Sequence, residues 1–178
     1  MLELAFSTEP ILGWRVWRVM RPVDRARGAH EMVAELLDAE RGGQQERVEA
    51  LFRHRLRSLT EQTFWPGRRR LDARCRGGPV LHDAAPHADC TCGVWALRSR
   101  AAAVELATDY AYAAGLMALG QVALWGRIVE QERGWRGQYA YPQDLTVFGA
   151  TDAVADELRR AYGITVACAP RVLGRRAA

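Results

Sequence analysis

The sequence predicts an α+β domain: a mostly antiparallel sheet, open or barrel-like, carrying a helical-hairpin insertion. Three observations lead there. Segments of alternating apolar character recur at residues 11–20, 121–130 and 135–141, single helical periods separate them, and Gly- and Pro-rich turns punctuate the rest. With 178 residues, 49% of them apolar and 26% charged, the chain has material for one sizeable core and is neither disordered nor membrane-spanning in composition.

In residues 11–20, Trp14, Val16, Arg18 and Met20 share one face and Arg15, Trp17 and Val19 the other, as in a strand buried on both sides. Past Pro22 the period becomes helical through Ala29, Met32, Val33, Leu36 and Leu37. Arg41-Gly42-Gly43 stops that helix, and Val48, Leu51, Phe52 and Leu56 start a second. This charged hairpin, residues 23–57, reads as an insertion because it parts one strand from the next β-like segment. Residues 59–97 are strand and turn: Thr63-Phe64-Trp65, the Pro66-Gly67 turn, a basic run, a polar loop at 75–92, then Gly93 to Leu97. A helix follows over 100–114, built on Ala102 to Ala107. The hairpin of 121–130 and 135–141 turns through residues 131–134 and ends at Pro142. Thr151 caps a short helix with Val154, Leu158 and Tyr162 on one face. Gly163 closes it, and 164–168 form a last strand. Residues 1–170 thus form one domain and 171–178 a frayed basic tail.

All 25 basic residues are Arg, with no Lys and no Asn. Both missing types use only A-rich codons, so the pattern reports a GC-rich genome before it reports selection for guanidinium groups. The net charge of +4 is therefore only a mild pull toward acidic partners. No apolar run approaches the roughly 20 residues that span a bilayer, and the first residues lack a basic, apolar secretory pattern, so the expected location is cytoplasmic. Four cysteines are too sparse for a disulfide framework in a chain this long, which turns attention to metal.

Cys75, His82, His87, Cys90 and Cys92 fall in one Gly-, Pro- and Asp-containing loop. Zinc takes about four nitrogen or sulfur ligands in a tetrahedron, and a loop closing on a C-x-C strand start supplies three thiolates and one imidazole. The expected ligands are Cys75, His87, Cys90 and Cys92, with His82 as the alternate histidine. His87 is preferred for its two-residue gap to Cys90. Such a full set leaves no open position for water, so the zinc would be structural. The competing reading is that these are small buried hydrophobes and loop histidines. The pattern fails the zinc-deaminase signature, having Asp89 where a Glu belongs and a Cys pair one residue too tight. A Cys nucleophile lacks a visible orienting group, and no Walker loop, dinucleotide fingerprint or nucleophile elbow is present. Glu130 and Glu132 read as a charged hairpin tip.

Arg68, Arg69, Arg70, Arg74 and Arg76 make the densest basic run, and Trp135 with Arg136 pairs an aromatic with a guanidinium. These are the candidate contacts for a partner or for nucleic acid. The segments Gly13-Trp14-Arg15-Val16-Trp17-Arg18-Val19, Trp65-Pro66-Gly67, Cys90-Thr91-Cys92-Gly93, and Leu124-Trp125-Gly126 through Glu130, Glu132 and Gly134 to Ala140-Tyr141-Pro142 resemble a group of high-GC, actinobacterial-type proteins without an assigned activity. The resemblance covers about two thirds of the chain, skips residues 23–57, and implies shared architecture only. The function expected is a non-catalytic binding, adaptor or regulatory module with a structural zinc site, engaging a protein partner. A nucleic-acid-binding accessory protein is the alternative, and an enzyme of unknown reaction the second alternative.

Overall fold

A computed structural model describes residues 4–25, 51–60, 63–75, 82–110 and 115–171. Among the described residues, eight strands form a single sheet: β1 (Leu4–Met20), β2 (Arg55–Ser58), β3 (Leu71–Asp72), β4 (Val94–Leu97), β5 (Leu116–Gln131), β6 (Gly134–Pro142), β7 (Asp144–Phe148) and β8 (Thr165–Ala169). Among the described residues the two long helices are α1 (Arg100–Tyr110) and α2 (Asp152–Tyr162). All pairings are antiparallel except β7 with β8, which α2 connects as a crossover. The α+β, mostly antiparallel architecture is the one expected.

Long β1 and β5 pair along almost their full length, while β6 pairs with both β5 and β4. A single register pair, Trp14 with Leu97, joins β4 back to β1 and completes a closed circuit of four strands. Register shifts between Ser7 and Ile11 of β1, and between Trp125 and Ile128 of β5, mark irregularities of the kind that let long strands bend round.

The two faces of β1 go where the alternation sends them. Trp17 and Val19 enter the main core with Leu56, Trp65, Leu124, Leu145 and Leu158, whereas Val16 joins a smaller cluster with Met117, Leu119 and the Ala103 and Ala107 face of α1. Trp65 meets Trp17 edge-to-face at 5.4 Å between ring centres and donates from Nε1 to Ser58 Oγ at 3.2 Å. On α2, Ala155, Leu158 and Tyr162 are buried. Gly163 ends the helix in a left-handed conformation with φ 66°, and its N–H bonds Arg159 O at 2.7 Å.

Three expectations need correction or completion. Leu56 belongs to a strand paired with β1 and not to a helix: its register partner is Val19 and it is fully buried. Of the rest of the expected hairpin, Pro22–Arg25 form a 3-10 turn and Leu51 and Phe52 are helical, while residues 26–50 lie outside the described residues, as do 111–114 of the expected helix and 172–178 of the tail. Strand β7 departs from the expected stop at Pro142: it begins two residues beyond, and Leu145 and Val147 alternate into the core. Among the described residues, no helix is long and apolar enough to cross a membrane.

Candidate metal centre

The cysteine loop leaves the sheet and returns to it at neighbouring positions on one strand. Leu71 and Asp72 of β3 pair with Ala140 and Tyr139 of β6, and the Ala73 N–H continues the ladder to Gln138 O at 2.8 Å. Val94 of β4 then pairs with Gly137, the next residue along. Because the loop's two ends are adjacent on β6, Cys75 and Cys92, each two residues from an end, are brought together by the sheet itself. Gly93 permits the final approach: it holds φ 118°, and a Cβ there would lie 2.9 Å from Pro86 Cβ and 3.1 Å from Arg136 Cβ.

The Sγ atoms of Cys75, Cys90 and Cys92 lie within 4.8 Å of one another, and those of Cys75 and Cys90 are 3.9 Å apart. A tetrahedral ion with metal–sulfur bonds of about 2.3 Å sets its sulfurs roughly 3.8 Å apart, so these three can hold a metal ion with little movement. Cys92 is 9% exposed, the other two half-buried. Burial pushes the Cys92 thiol up to about 11; the neighbouring Cys90 and Cys75 sulfurs add to the rise, and a backbone hydrogen bond from His87 opposes it.

Arg136 of β6 is fully buried against this loop. Its Nη1 donates to the carbonyls of His87 at 3.2 Å and Cys92 at 2.8 Å, and also to that of Cys90. Burial lowers the guanidinium from its ordinary value, and the Cys92 and Cys90 sulfurs pull it back. Its Nε and Nη2 are buried without a hydrogen-bond partner. The Trp95 ring lies 5.5 Å away.

The structure unites three of the four expected ligands and corrects the fourth. The His87 ring stacks on His82 at 4.1 Å with planes 2° apart, and its Nδ1 accepts the Asp89 N–H at 3.3 Å, so neither histidine ring joins the sulfurs. What His87 gives the site is its main chain. The expectation for Arg136 as a partner contact is also overturned, since no surface of it is exposed. Trp135 is half-buried, packs on the main core and lies under Arg98, whose Cζ is 4.5 Å from the ring centre. Sequence gave little sign of this: Arg at an inward position of a strand looks like any other Arg.

The basic run divides. Arg68 is exposed but donates to Arg160 O at the end of α2 at 3.2 Å, and Arg70 pairs with Asp72 at 2.8 Å while lying 3.9 Å over the Tyr139 ring. Arg69, Arg70 and Arg74 line a shallow groove of about 630 Å³ with Phe64. Arg76 lies outside the described residues. Glu130 bonds Arg98, which also grips the Gln131 and Glu132 carbonyls, so the hairpin tip is a braced turn.

A cleft of about 450 Å³, not anticipated from sequence, opens where β1 and β4 diverge beyond their single pair. Trp14, Trp95 and Tyr110 supply aromatic lining, and Arg74, Thr91 and Gly93, immediate chain neighbours of the three cysteines, line it as well. Trp95 links the two features, since its Nε1 donates to Thr91 O at 3.0 Å. No protein-family model, no curated protein and no solved structure matches the chain.

Proposed function

We propose that the chain is a non-catalytic cytoplasmic binding module in which a structural zinc ion fixes the loop that walls a cleft for a protein partner. The observation that carries this reading is the convergence of the Cys75, Cys90 and Cys92 sulfurs, whose chain neighbours Arg74, Thr91 and Gly93 line the 450 Å³ cleft. Zinc suits three thiolates, needs no redox partner and accepts tetrahedral geometry readily, and a reducing compartment keeps the thiols available to it. Three thiolates more than neutralise a divalent ion, which weakens its pull on a bound water and favours a structural over a catalytic role. A protein partner is supported by large apolar side chains at the surface: Phe6, Leu12 and, on the cleft wall, Trp95 at 43% exposure.

Elemental analysis of protein purified without chelator is expected to find one zinc per chain, and none in a Cys90→Ser, Cys92→Ser variant. Metal-free wild type would overturn the reading. A photo-cross-linking residue at position 95, used in cells, is expected to trap protein in a manner lost with the cysteine variant; no adduct would remove the partner part of the proposal. A second reading, single-stranded nucleic acid across the Phe64, Arg69, Arg70 and Arg74 groove, is favoured by that groove's charge. It predicts nucleic-acid adducts and oligonucleotide binding that falls steeply with salt.

A further inference from the structure

Resting on the metal reading above, we infer that Arg136 is the built-in counter-ion of the centre, so that the loop is made for a metal–thiolate cluster with one net negative charge. Arg136 is held mid-strand between Trp95 of β4 and Val129 of β5 in register, so the two ladders fix its backbone and with it the face of the sheet its side chain takes. Its side chain is fully buried, and Nη1 gathers the carbonyls of His87, Cys90 and Cys92, the segment that carries two of the three sulfurs. Nε and Nη2 are left without partners, and the ion pairs found among the described residues do not include Arg136. A buried guanidinium without an opposite charge is a costly arrangement, and the face of Trp95 compensates only weakly. Three thiolates around a divalent cation carry a single negative charge, which neutralises the guanidinium; a loop of neutral thiols leaves it uncompensated. Arg136 is thus a positioning residue twice over. It holds the loop's backbone so that the sulfurs converge, and its charge favours the loaded loop over the empty one.

The test uses the full chain as wild type, Arg136→Gln and Arg136→Lys. Zinc affinity is read by competition with a chromophoric chelator, and melting is read with and without zinc. Arg136→Gln keeps donors for the carbonyls and removes the charge. Its zinc affinity is expected to fall by about 10–100-fold, the usual effect of losing an outer-shell partner, while its metal-free form melts no lower than wild type. Arg136→Lys keeps the charge and should retain more affinity than Arg136→Gln. Unchanged affinity in Arg136→Gln, or an equal loss of melting temperature with and without zinc, would show ordinary packing and overturn the inference while leaving the metal site intact. If Arg136→Gln does not fold, Arg136→Lys decides: affinity within about tenfold of wild type supports the counter-ion, and a loss as complete as in the cysteine variant overturns it. Wild type that binds no zinc would overturn both this inference and the reading beneath it.

Discussion

Tyr162 and Arg136 are both sealed in the interior, at 2% and 0% exposure, and the protein treats them in opposite ways. The Tyr162 hydroxyl accepts the Leu56 N–H at 2.9 Å and donates to Trp65 O at 3.1 Å, tying α2 to β2 and to the segment before the Pro66-Gly67 turn. Burial pushes its ionisation well above the ordinary tyrosine value, so it stays neutral and fully bonded. Arg136 carries a charge it cannot shed and keeps two nitrogens unpartnered. Trp17 Nε1 also lacks a partner, but a neutral N–H forfeits only a hydrogen bond. The difference separates a region whose buried tyrosine is fully bonded, around Trp65 and Tyr162, from a region beside the cysteines that buries a guanidinium with no ion-pair partner among the described residues.

The hardest way to break the tyrosine region is Trp65→Ala. Trp65 is 2% exposed and packs on Trp17, so the substitution is expected to cost about 3–5 kcal/mol in denaturant unfolding, by the same amount with and without zinc. A zinc-dependent cost would mean that the two regions are not separate. Tyr162→Phe sharpens the contrast with a smaller change. Removing one oxygen strands a buried N–H and a buried carbonyl, and about 1–3 kcal/mol should be lost while zinc affinity stays at the wild-type value.

Legibility in the sequence follows the same division. The sheet strands could be read because burial on two faces leaves an alternating record, as in Trp17 and Val19 against Val16. The α2 helix could be read because Leu158 and Tyr162 recur at helical spacing before Gly163. Leu56 reads as helical in the sequence because four strand residues following a helical pattern can continue its period by chance, and only the pairing with Val19 decides. In the cysteine loop, residue type identified the three sulfurs, but spacing could not exclude His87, whose ring is turned away by stacking on His82. Arg136 and the cleft depend on β3 and β4 lining up end to end along β6, a long-range fact that no local pattern records.

A weaker polar contact, half in solvent, bounds the tyrosine region. Glu157 of α2 accepts hydrogen bonds from the His54 backbone N–H and from His54 Nδ1, both at 2.8 Å, and so pins the chain ahead of β2 to the helix. Burial alone would raise the Glu157 carboxyl, but the two His54 bonds, the His54 charge and Arg160 outweigh it and hold the group below its ordinary value. A carboxylate depressed on folding contributes stability that is complete above its unfolded pKa and disappears as pH falls through the folded one. With side chains 22% and 27% exposed, the pair should contribute less than about 1 kcal/mol. Glu157→Gln is therefore expected to melt slightly below wild type near neutral pH, with the gap closing below about pH 4 as the wild-type carboxyl takes up its proton. Melting of both proteins from about pH 7 to about pH 3 checks this, and a gap that widens on acidification would mean that Glu157 is not the ionised partner of His54.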